Sequence, residues 1–346
     1  MDRFIRFSLL IGFLWSLQAC YLINNAYYLN NLYNSRRKID DMLNDRSTPQ
    51  STREKLLIVK EILAYAKKEG LNTEDKYQEY IEVGDRPLSY IVEAAEIDQL
   101  KQITWWFPVV GDVPYLGYLE KKERDEKAES LRLKGYDIYE SEAEAFSGLG
   151  WLRDPILSSY LKGSTASLAN LLFHELTHAT LWIPGSVEFN ENLASFVGDI
   201  LTIKYLQSKS QLTELNSYSL RKSDREKFNS WLTELRKSLD NLYQKRGAIP
   251  RAELLVMKKE VFSSYLREKR PHFSSADYIG KDEWNNAVVL AASLYISKAD
   301  KFAKAWACVG DLQVGQFLKK IKETNKSSSD PFQALESLCA VSGSTP

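Results

Sequence analysis

The chain has 346 residues, 44% of them hydrophobic, so it is long enough to bury one large core or two smaller ones. This apolar content, with only 16 glycines and 10 prolines, excludes a disordered or collagen-like chain. The 46 basic and 46 acidic residues balance, which argues against nucleic acid as a partner because phosphate binding requires clustered positive charge.

The first twenty residues have the pattern of a bacterial export signal that ends at a lipid-attachment site. Two arginines precede an apolar stretch at residues 7–17, which is too short to span a membrane as a helix. The stretch ends at Leu17-Gln18-Ala19-Cys20, which resembles a bacterial lipobox. The resemblance implies that residues 1–19 are removed and that Cys20 becomes the lipidated first residue of the mature protein. The alternatives are an ordinary signal peptide or an uncleaved anchor helix.

The remaining pattern predicts an α+β fold with a small antiparallel sheet beside a larger helical body. Helical spacing of apolar residues predicts helices at 21–45 and 51–69, followed by a brief helix or turn at 72–80. Aromatic and β-branched residues then predict four strands, with a charged helix at 120–134 before the last; the strands are 88–92, 104–110, 115–119 and 136–139. Six further helices are predicted at 164–182, 188–206, 223–243, 251–269, 282–305 and 313–323.

The clearest chemical motif is His174-Glu175-Leu176-Thr177-His178, inside the predicted helix 164–182. Residues four apart lie on one face of a helix, about 5–6 Å apart, so His174 and His178 can bind one metal ion. Glu175 lies about 100° round the helix, where its carboxylate can hold and deprotonate a water molecule on the metal without being a ligand. Two of the three histidines of the chain belong to this motif, which favours a real site over a chance match.

A third ligand is predicted at Glu191, in the next helix. Ile183-Pro184-Gly185-Ser186 is a strong turn signal, so the second helix folds back antiparallel, and a rise of about 1.5 Å per residue brings Glu191 level with His178. Small residues on the same face let the helices approach closely: Ala194, Ser195 and Gly198. Two histidines and a glutamate leave a fourth position for water, as in catalytic zinc sites. The alternative is a buried hairpin whose histidines only satisfy hydrogen bonds.

The residues that surround this predicted site are less specific. Asp199 or Ser195 could accept a hydrogen bond from His174 and orient its ring. The negative charge that develops on the substrate oxygen also requires a hydrogen-bond donor, for which His272 and Tyr295 are the candidates. A purely structural role is the alternative for each of these four residues.

The motif followed by Asn190-Glu191-Asn192-Leu193-Ala194 resembles the gluzincin metallopeptidases, in which a Glu on a second helix completes the zinc site. The chain is also similar to a family of predicted bacterial aminopeptidases that are lipoproteins of Gram-negative organisms. The stretches that carry this similarity are 17–20, 106–111, 115–118, 150–155, the metal motif and 285–287. The resemblance implies zinc ligands His174, His178 and Glu191, the general base Glu175, and a strand before Gly150 that aligns the peptide substrate. The chain lacks the G-x-M-E-N segment that holds the free amino end in one group of gluzincin aminopeptidases, so exopeptidase and endopeptidase activity both stay open.

The sequence therefore predicts a zinc-dependent peptidase, anchored by lipid in the cell envelope and facing the periplasm, whose partners are a peptide or protein substrate and the membrane. The alternative is a non-catalytic, zinc-containing envelope lipoprotein that binds a peptide or protein partner. The expected division is a signal peptide at 1–19, a helical segment at 20–84, a catalytic α+β region at 85–206 and a helical region at 207–346. Cys308 and Cys339 could form a disulfide in an oxidising compartment, which their spacing does not decide.

Overall fold

A computed structural model describes residues 34–84, 87, 89–107, 111–143, 154–275, 278–280, 283–293, 298–310, 312–326, 328 and 330–342. These residues form a mixed α and β fold that is mostly helical, which confirms the predicted α+β class. The predicted signal peptide, Cys20 and Tyr295 lie outside the described residues.

The strands of the described residues form three small sheets. They are β1 (Arg37–Lys38), β2 (Glu79–Ile81), β3 (Ser89–Ala95), β4 (Trp105–Phe107), β5 (Gly111–Val113), β6 (Tyr115–Tyr118), β7 (Asp137–Ala143) and β8 (Ile156–Leu157). One sheet has the antiparallel order β6-β3-β7, and β4 and β5 form an antiparallel pair. The third has the order β1-β2-β8, in which β2 and β8 are parallel. The prediction of one antiparallel sheet was therefore too simple, because β2 and β8 pair across a long stretch of chain that local patterns do not connect.

The helices of the described residues make up most of the fold. They are α1 (Ile39–Asn44), α2 (Gln50–Lys68), α3 (Lys121–Arg132), α4 (Thr165–Thr180), α5 (Val187–Ser208), α6 (Leu212–Tyr243), α7 (Arg251–Arg267), α8 (Asn286–Ser293), α9 (Ala299–Val309), α10 (Val314–Asn325) and α11 (Pro331–Ser342). Six predicted helices are confirmed within about two residues at each end, a margin that assignment of helix ends allows; they correspond to α2, α3, α4, α5, α7 and α10. No helix among the described residues combines the length and the apolarity needed to cross a bilayer.

The other helix predictions differ because tertiary contacts decide the outcome. Arg37 and Lys38 pair with β2, so a strand occupies part of the predicted helix 21–45. The predicted helix 282–305 is divided into α8 and α9, and the backbone N–H of Lys298 between them donates to Asn192 Oδ1 instead. The segment 72–80 ends in β2 rather than in a helix, α6 begins 11 residues before the predicted start at 223, and α11 was not predicted.

One large apolar core lies beneath α4 and α5. Leu172, Phe173 and Leu176 of α4 are fully buried there against α2 and the C-terminal helices. Smaller cores lie between α6 and α7 and between α3 and the sheet β6-β3-β7. A disulfide joins Cys308 of α9 to Cys339 of α11, which answers the question that the spacing left open. The helical hairpin of α4 and α5 is thus supported from below by the largest apolar cluster.

Glu93 is a carboxyl group inside the sheet β6-β3-β7. Its side chain accepts a hydrogen bond of 2.9 Å from Gln102 Nε2, and the residue is only 8% exposed. Burial raises the pKa of Glu93 from 4.5 to about 7, and the bond from Gln102 offsets only part of the rise. The folded protein therefore resists ionisation of this group more than the unfolded chain does.

We expect Glu93→Gln to leave the free energy of unfolding nearly unchanged below pH 4.5 and to raise it by about 1–3 kcal/mol above pH 7. The wild-type protein loses stability as the pH rises toward the folded-state pKa of Glu93, because the carboxyl ionises more readily in the unfolded chain. Glutamine cannot ionise, so the variant does not lose this stability. Urea unfolding at pH 4.5 and pH 8 measures the difference, with the exposed Glu142→Gln on neighbouring β7 as the control. An equal effect of Glu93→Gln at both pH values would contradict the assignment.

Candidate metal centre

Helix α4 presents the metal motif on the face opposite the core. The helix begins where Ser164 Oγ accepts a hydrogen bond of 3.1 Å from the backbone N–H of Ser167, which satisfies one of the free donors of the first turn. Its apolar residues point into the large core, whereas His174, Glu175 and His178 remain half-buried. The apolar core therefore holds the helix in place, and the polar side chains of the motif remain partly accessible to solvent.

The turn after α4 fixes the position of α5. Asn190 Nδ2 donates to the carbonyl of Ile183 at 2.8 Å, and Asn190 Oδ1 accepts from the N–H of Ile183 at 2.9 Å. Both residues are buried, and Gly185 has a φ of +77°, a conformation that favours glycine. This double hydrogen bond sets the register between α4 and α5, and it places Glu191, the next residue after Asn190, opposite the histidines.

The two helices approach unusually closely at Gly198. A Cβ atom on this residue would lie 3.0 Å from Asn170 Nδ2, 3.3 Å from the carbonyl oxygen of Asn170 and 3.6 Å from His174 Cβ. A side chain at this position would therefore push α5 away from α4. Of the small residues predicted to allow a close approach, Gly198 does lie at this contact.

The three predicted ligands meet between the helices. His174 Nε2 lies 3.4 Å from Glu191 Oε2, His178 Nε2 lies 3.4 Å from Glu191 Oε1, and the two Nε2 atoms are 3.1 Å apart. Nitrogen and oxygen ligands at about 2.1 Å from a tetrahedral zinc ion are about 3.4 Å from one another. The spacing and the chemistry of these donors therefore fit a zinc ion, and the ligand atoms of all three side chains lie within 4.8 Å of one another.

The two glutamates of the site have opposite pKa shifts. Burial opposes ionisation of Glu191, but hydrogen bonds from His174 and His178 outweigh it and lower the pKa to about 2. Burial raises the pKa of Glu175; the histidine charges offset part of this, and the charges of Glu191 and Asp154 add to it. Glu191 is thus ionised at neutral pH, as a carboxylate that binds a metal must be, whereas Glu175 has the stronger tendency to take up a proton.

Asp199, which the sequence predicted as a hydrogen-bond partner of His174, binds other side chains. Asp199 accepts hydrogen bonds from Tyr218, Asn170 and Arg225 rather than from His174. Ser195 is half-buried one turn beyond Glu191 on α5, and His178 Nδ1 is buried without a hydrogen-bond partner among the described residues. The Trp182 ring packs against His178, with centroids 5.3 Å apart, so an aromatic contact rather than a carboxylate orients this ring.

Of the two predicted donors for the substrate oxygen, His272 lies outside the cluster of the three predicted ligands. His272 follows α7 and lines a surface cavity formed by residues 267 and 270–275, none of which belongs to the metal motif. Tyr295 lies outside the described residues. Among the described residues, Tyr77 and Asp154 also interact electrostatically with Glu175, which the sequence did not reveal.

Tyr77 is buried, and Glu175 and Asp154 act on it electrostatically. Burial, together with the charges of these two carboxylates, raises the pKa of Tyr77 well above its ordinary value, so its hydroxyl keeps its proton. Its backbone has a φ of +57°, which is strained for an aromatic residue, and its N–H donates to the carbonyl of Asp154 at 2.8 Å. Asp154 also forms an ion pair with Lys76 at 3.2 Å. No local pattern marks Tyr77, because it lies in a short polar segment.

The comparisons with known proteins identify the family. A family model described as "Putative aminopeptidase" matches residues 20–334, which is most of the chain. The chain belongs to this aminopeptidase family. No curated protein and no solved structure gives a significant match. Membership supports a hydrolase that acts on peptides, as the sequence predicted at this coarser level.

The Asn190 hydrogen bonds generate a prediction for this aminopeptidase-family hairpin. We expect Asn190→Ala to lower the free energy of unfolding by about 1–3 kcal/mol, because the backbone N–H and carbonyl of buried Ile183 both lose their partner. Urea unfolding measures the loss. Asn44→Ala, which removes an exposed side-chain bond at the end of α1, is the control and should change stability by less than about 0.5 kcal/mol. Equal effects of the two variants would show that Asn190 does not hold the turn.

Proposed function

We propose that this protein is a zinc-dependent peptidase. The observation that carries the proposal is the convergence of His174, His178 and Glu191 at spacings that fit a zinc ion, with Glu175 beside them. Membership of the aminopeptidase family supports hydrolysis of peptide bonds. A half-buried site with three protein ligands leaves room for substrate, which is typical of catalytic rather than structural zinc.

Glu191 and Glu175 have different roles in the proposed hydrolysis. When bound, zinc lowers the pKa of water toward about 7 and polarises a carbonyl group. Glu191, whose pKa is low, is the negatively charged member of the three proposed ligands at neutral pH. Glu175 accepts the proton of the attacking water and passes it to the leaving amine, a role that its raised pKa favours.

An edge strand is available for the peptide substrate. Among the described strands, β7 is at one end of the order β6-β3-β7, and it precedes Gly150, as does the strand that the resemblance to gluzincins implies. Asn285 Nδ2 donates to the carbonyl of Ile138, so the first part of this edge is covered by the segment before α8. We therefore propose that a peptide adds as a further strand along the C-terminal part of β7.

We further propose that the protein is a lipoprotein of the cell envelope that faces the periplasm. The lipobox pattern at residues 17–20 supports lipid attachment to Cys20. The family match begins at residue 20, so the matched region leaves out the predicted signal peptide. The disulfide between Cys308 and Cys339 agrees with an oxidising compartment.

The decisive test of catalysis is Glu175→Gln. We expect this variant to keep the zinc content of the wild type and to lose about 10²- to 10⁴-fold or more in kcat/KM, because glutamine cannot accept a proton. Metal analysis and a mixed-peptide digestion read by mass spectrometry measure the two quantities, with and without a chelator.

Two histidine variants provide the matched controls. His178→Ala should lose both zinc and hydrolysis, whereas His272→Ala, which changes the histidine outside the cluster, should lose neither. If the zinc-loaded wild type hydrolyses no peptide, the peptidase hypothesis is wrong. The alternative is then favoured, a non-catalytic lipoprotein that binds a peptide or protein partner.

The membrane anchor has its own test. We expect Cys20→Ser to abolish incorporation of labelled fatty acid in a bacterial host, because the serine hydroxyl is not a substrate for lipid transfer to a thiol. In cell fractionation we expect the Cys20→Ser variant either in the soluble fraction or in the membrane fraction with its signal peptide uncleaved. Labelling that persists in Cys20→Ser would refute the assignment of this residue.

A further inference from the structure

A cavity of about 330 Å³ opens beside Glu175, between α4 and α6. This volume is at the lower end of the range of ligand pockets, about 300–1,000 Å³. Because His174 and Glu175 form part of its wall, a substrate held at the metal centre would extend into it. The residues that matter for its chemistry are Asn170, His174, Glu175, Tyr218, Arg221 and Tyr278.

Helix α6 contributes three basic side chains to this cavity, and they differ in how their charge is compensated. Lys222 forms an ion pair with Glu226 one turn further along α6. Arg225 Nη2 binds both carboxylate oxygens of Asp199, at 2.6 and 2.7 Å. Arg221 has no carboxylate within ion-pair distance among the described residues, and its Nη2 atom is buried without a hydrogen-bond partner.

The position of Arg221 is fixed in advance. Its guanidinium carbon lies 5.9 Å from the centre of the Tyr218 ring, a cation–π distance, and the Tyr218 hydroxyl is itself held by Asn170 at 2.7 Å and by Asp199. The Tyr278 hydroxyl donates to the backbone carbonyl of Arg221 at 3.1 Å, which holds the main chain of α6 here. The contact with the Tyr218 ring restricts the Arg221 side chain, so the side chain loses less entropy when it binds a ligand.

The loop that leads to Tyr278 is also anchored to α6. The fully buried Asp224 carboxylate accepts bonds from the backbone N–H groups of Ser274 and Ser275, at 2.8 and 2.6 Å. This clamp holds the cavity wall near Arg221 in place without occupying the guanidinium. The cavity is therefore lined by Asn170 and Tyr218, which are hydrogen-bonded, and by Arg221, which has no anionic partner among the described residues.

A half-buried guanidinium without an anion is costly, and a carboxylate offers it two parallel charge-assisted hydrogen bonds. We propose that Arg221 binds a carboxylate of the peptide substrate in this cavity and so makes the enzyme selective for anionic peptides. This inference rests on the proposed function, and it names the substrate class of the same site. The carboxylate can be the free C-terminus of a short peptide or the side chain of an acidic residue.

Matched peptides separate these two sources. One pair differs only by a free or an amidated C-terminus, and a second pair differs only by glutamate or glutamine next to the cleaved bond. For zinc-loaded wild type we expect kcat/KM to be about ten- to a hundredfold higher for the carboxylate member of one pair, the size expected for a hydrogen bond to a charged group. The pair that shows the preference identifies the source.

Variants of Arg221 assign the preference to this residue. Arg221→Gln should bring the ratio within the responding pair close to one, and Arg221→Glu should invert it in favour of the neutral member. Arg221→Lys, which keeps the charge but not the planar donors, should retain part of the preference. The control is Arg236→Gln, about 22 Å further along α6 and outside the cavity lining, which should keep the wild-type ratio.

Binding to the Glu175→Gln variant keeps this inference distinct from the proposed function. Calorimetric titration of that variant with the same peptides should show the carboxylate preference, and the preference should be lost when Arg221→Gln is added. If neither pair is discriminated in cleavage or binding, or if discrimination survives Arg221→Gln, the inference is overturned while peptidase activity can stand. If binding discriminates but nothing is cleaved, the peptidase proposal fails and the carboxylate site stands.

Discussion

The site depends on one packing constraint, the close contact between α4 and α5. Glycine at position 198 brings the α5 backbone within contact distance of Asn170 and His174, and the paired hydrogen bonds between Asn190 and Ile183 set how far along α4 the second helix begins. Glu191 reaches both histidines only if the separation and the register of the helices are both correct. A larger residue at position 198 would therefore displace the candidate metal ligands although it touches none of their proposed coordinating atoms.

The same hairpin places the two glutamates in contrasting surroundings. Glu191 receives hydrogen bonds from two imidazoles, so its charge is stabilised despite burial. Glu175 points toward the side where Tyr77 and Asp154 lie, and there burial dominates and favours the protonated form. Two identical side chains sixteen positions apart thus acquire opposite pKa shifts, because Glu191 receives hydrogen bonds from two imidazoles whereas burial and nearby carboxylates act on Glu175.

The parts of this fold that could be predicted are those that local chemistry determines. Helical periodicity, one strong turn signal and small residues on one face sufficed to place Glu191 opposite His174 and His178. The position of Tyr77 could not be predicted, because a short polar segment with a strained backbone carries no periodic signal. The parallel pairing of β2 with β8 and the division of the segment 282–305 into two helices also depend on residues distant in sequence.

The partners of Asp199 show why ion pairs are difficult to predict from one sequence. Its place on α5, two turns beyond Glu191, suggested a bond to His174, but Tyr218 and Arg225 of α6 occupy its carboxylate. Arg221 and Arg225 lie one turn apart on the same helix, and only Arg225 can use Asp199 as its partner. The register of α5 against α4 therefore determines which arginine is neutralised as well as where Glu191 lies. A single helical hairpin in this way controls both the candidate metal centre and the charge that lines the cavity beside it.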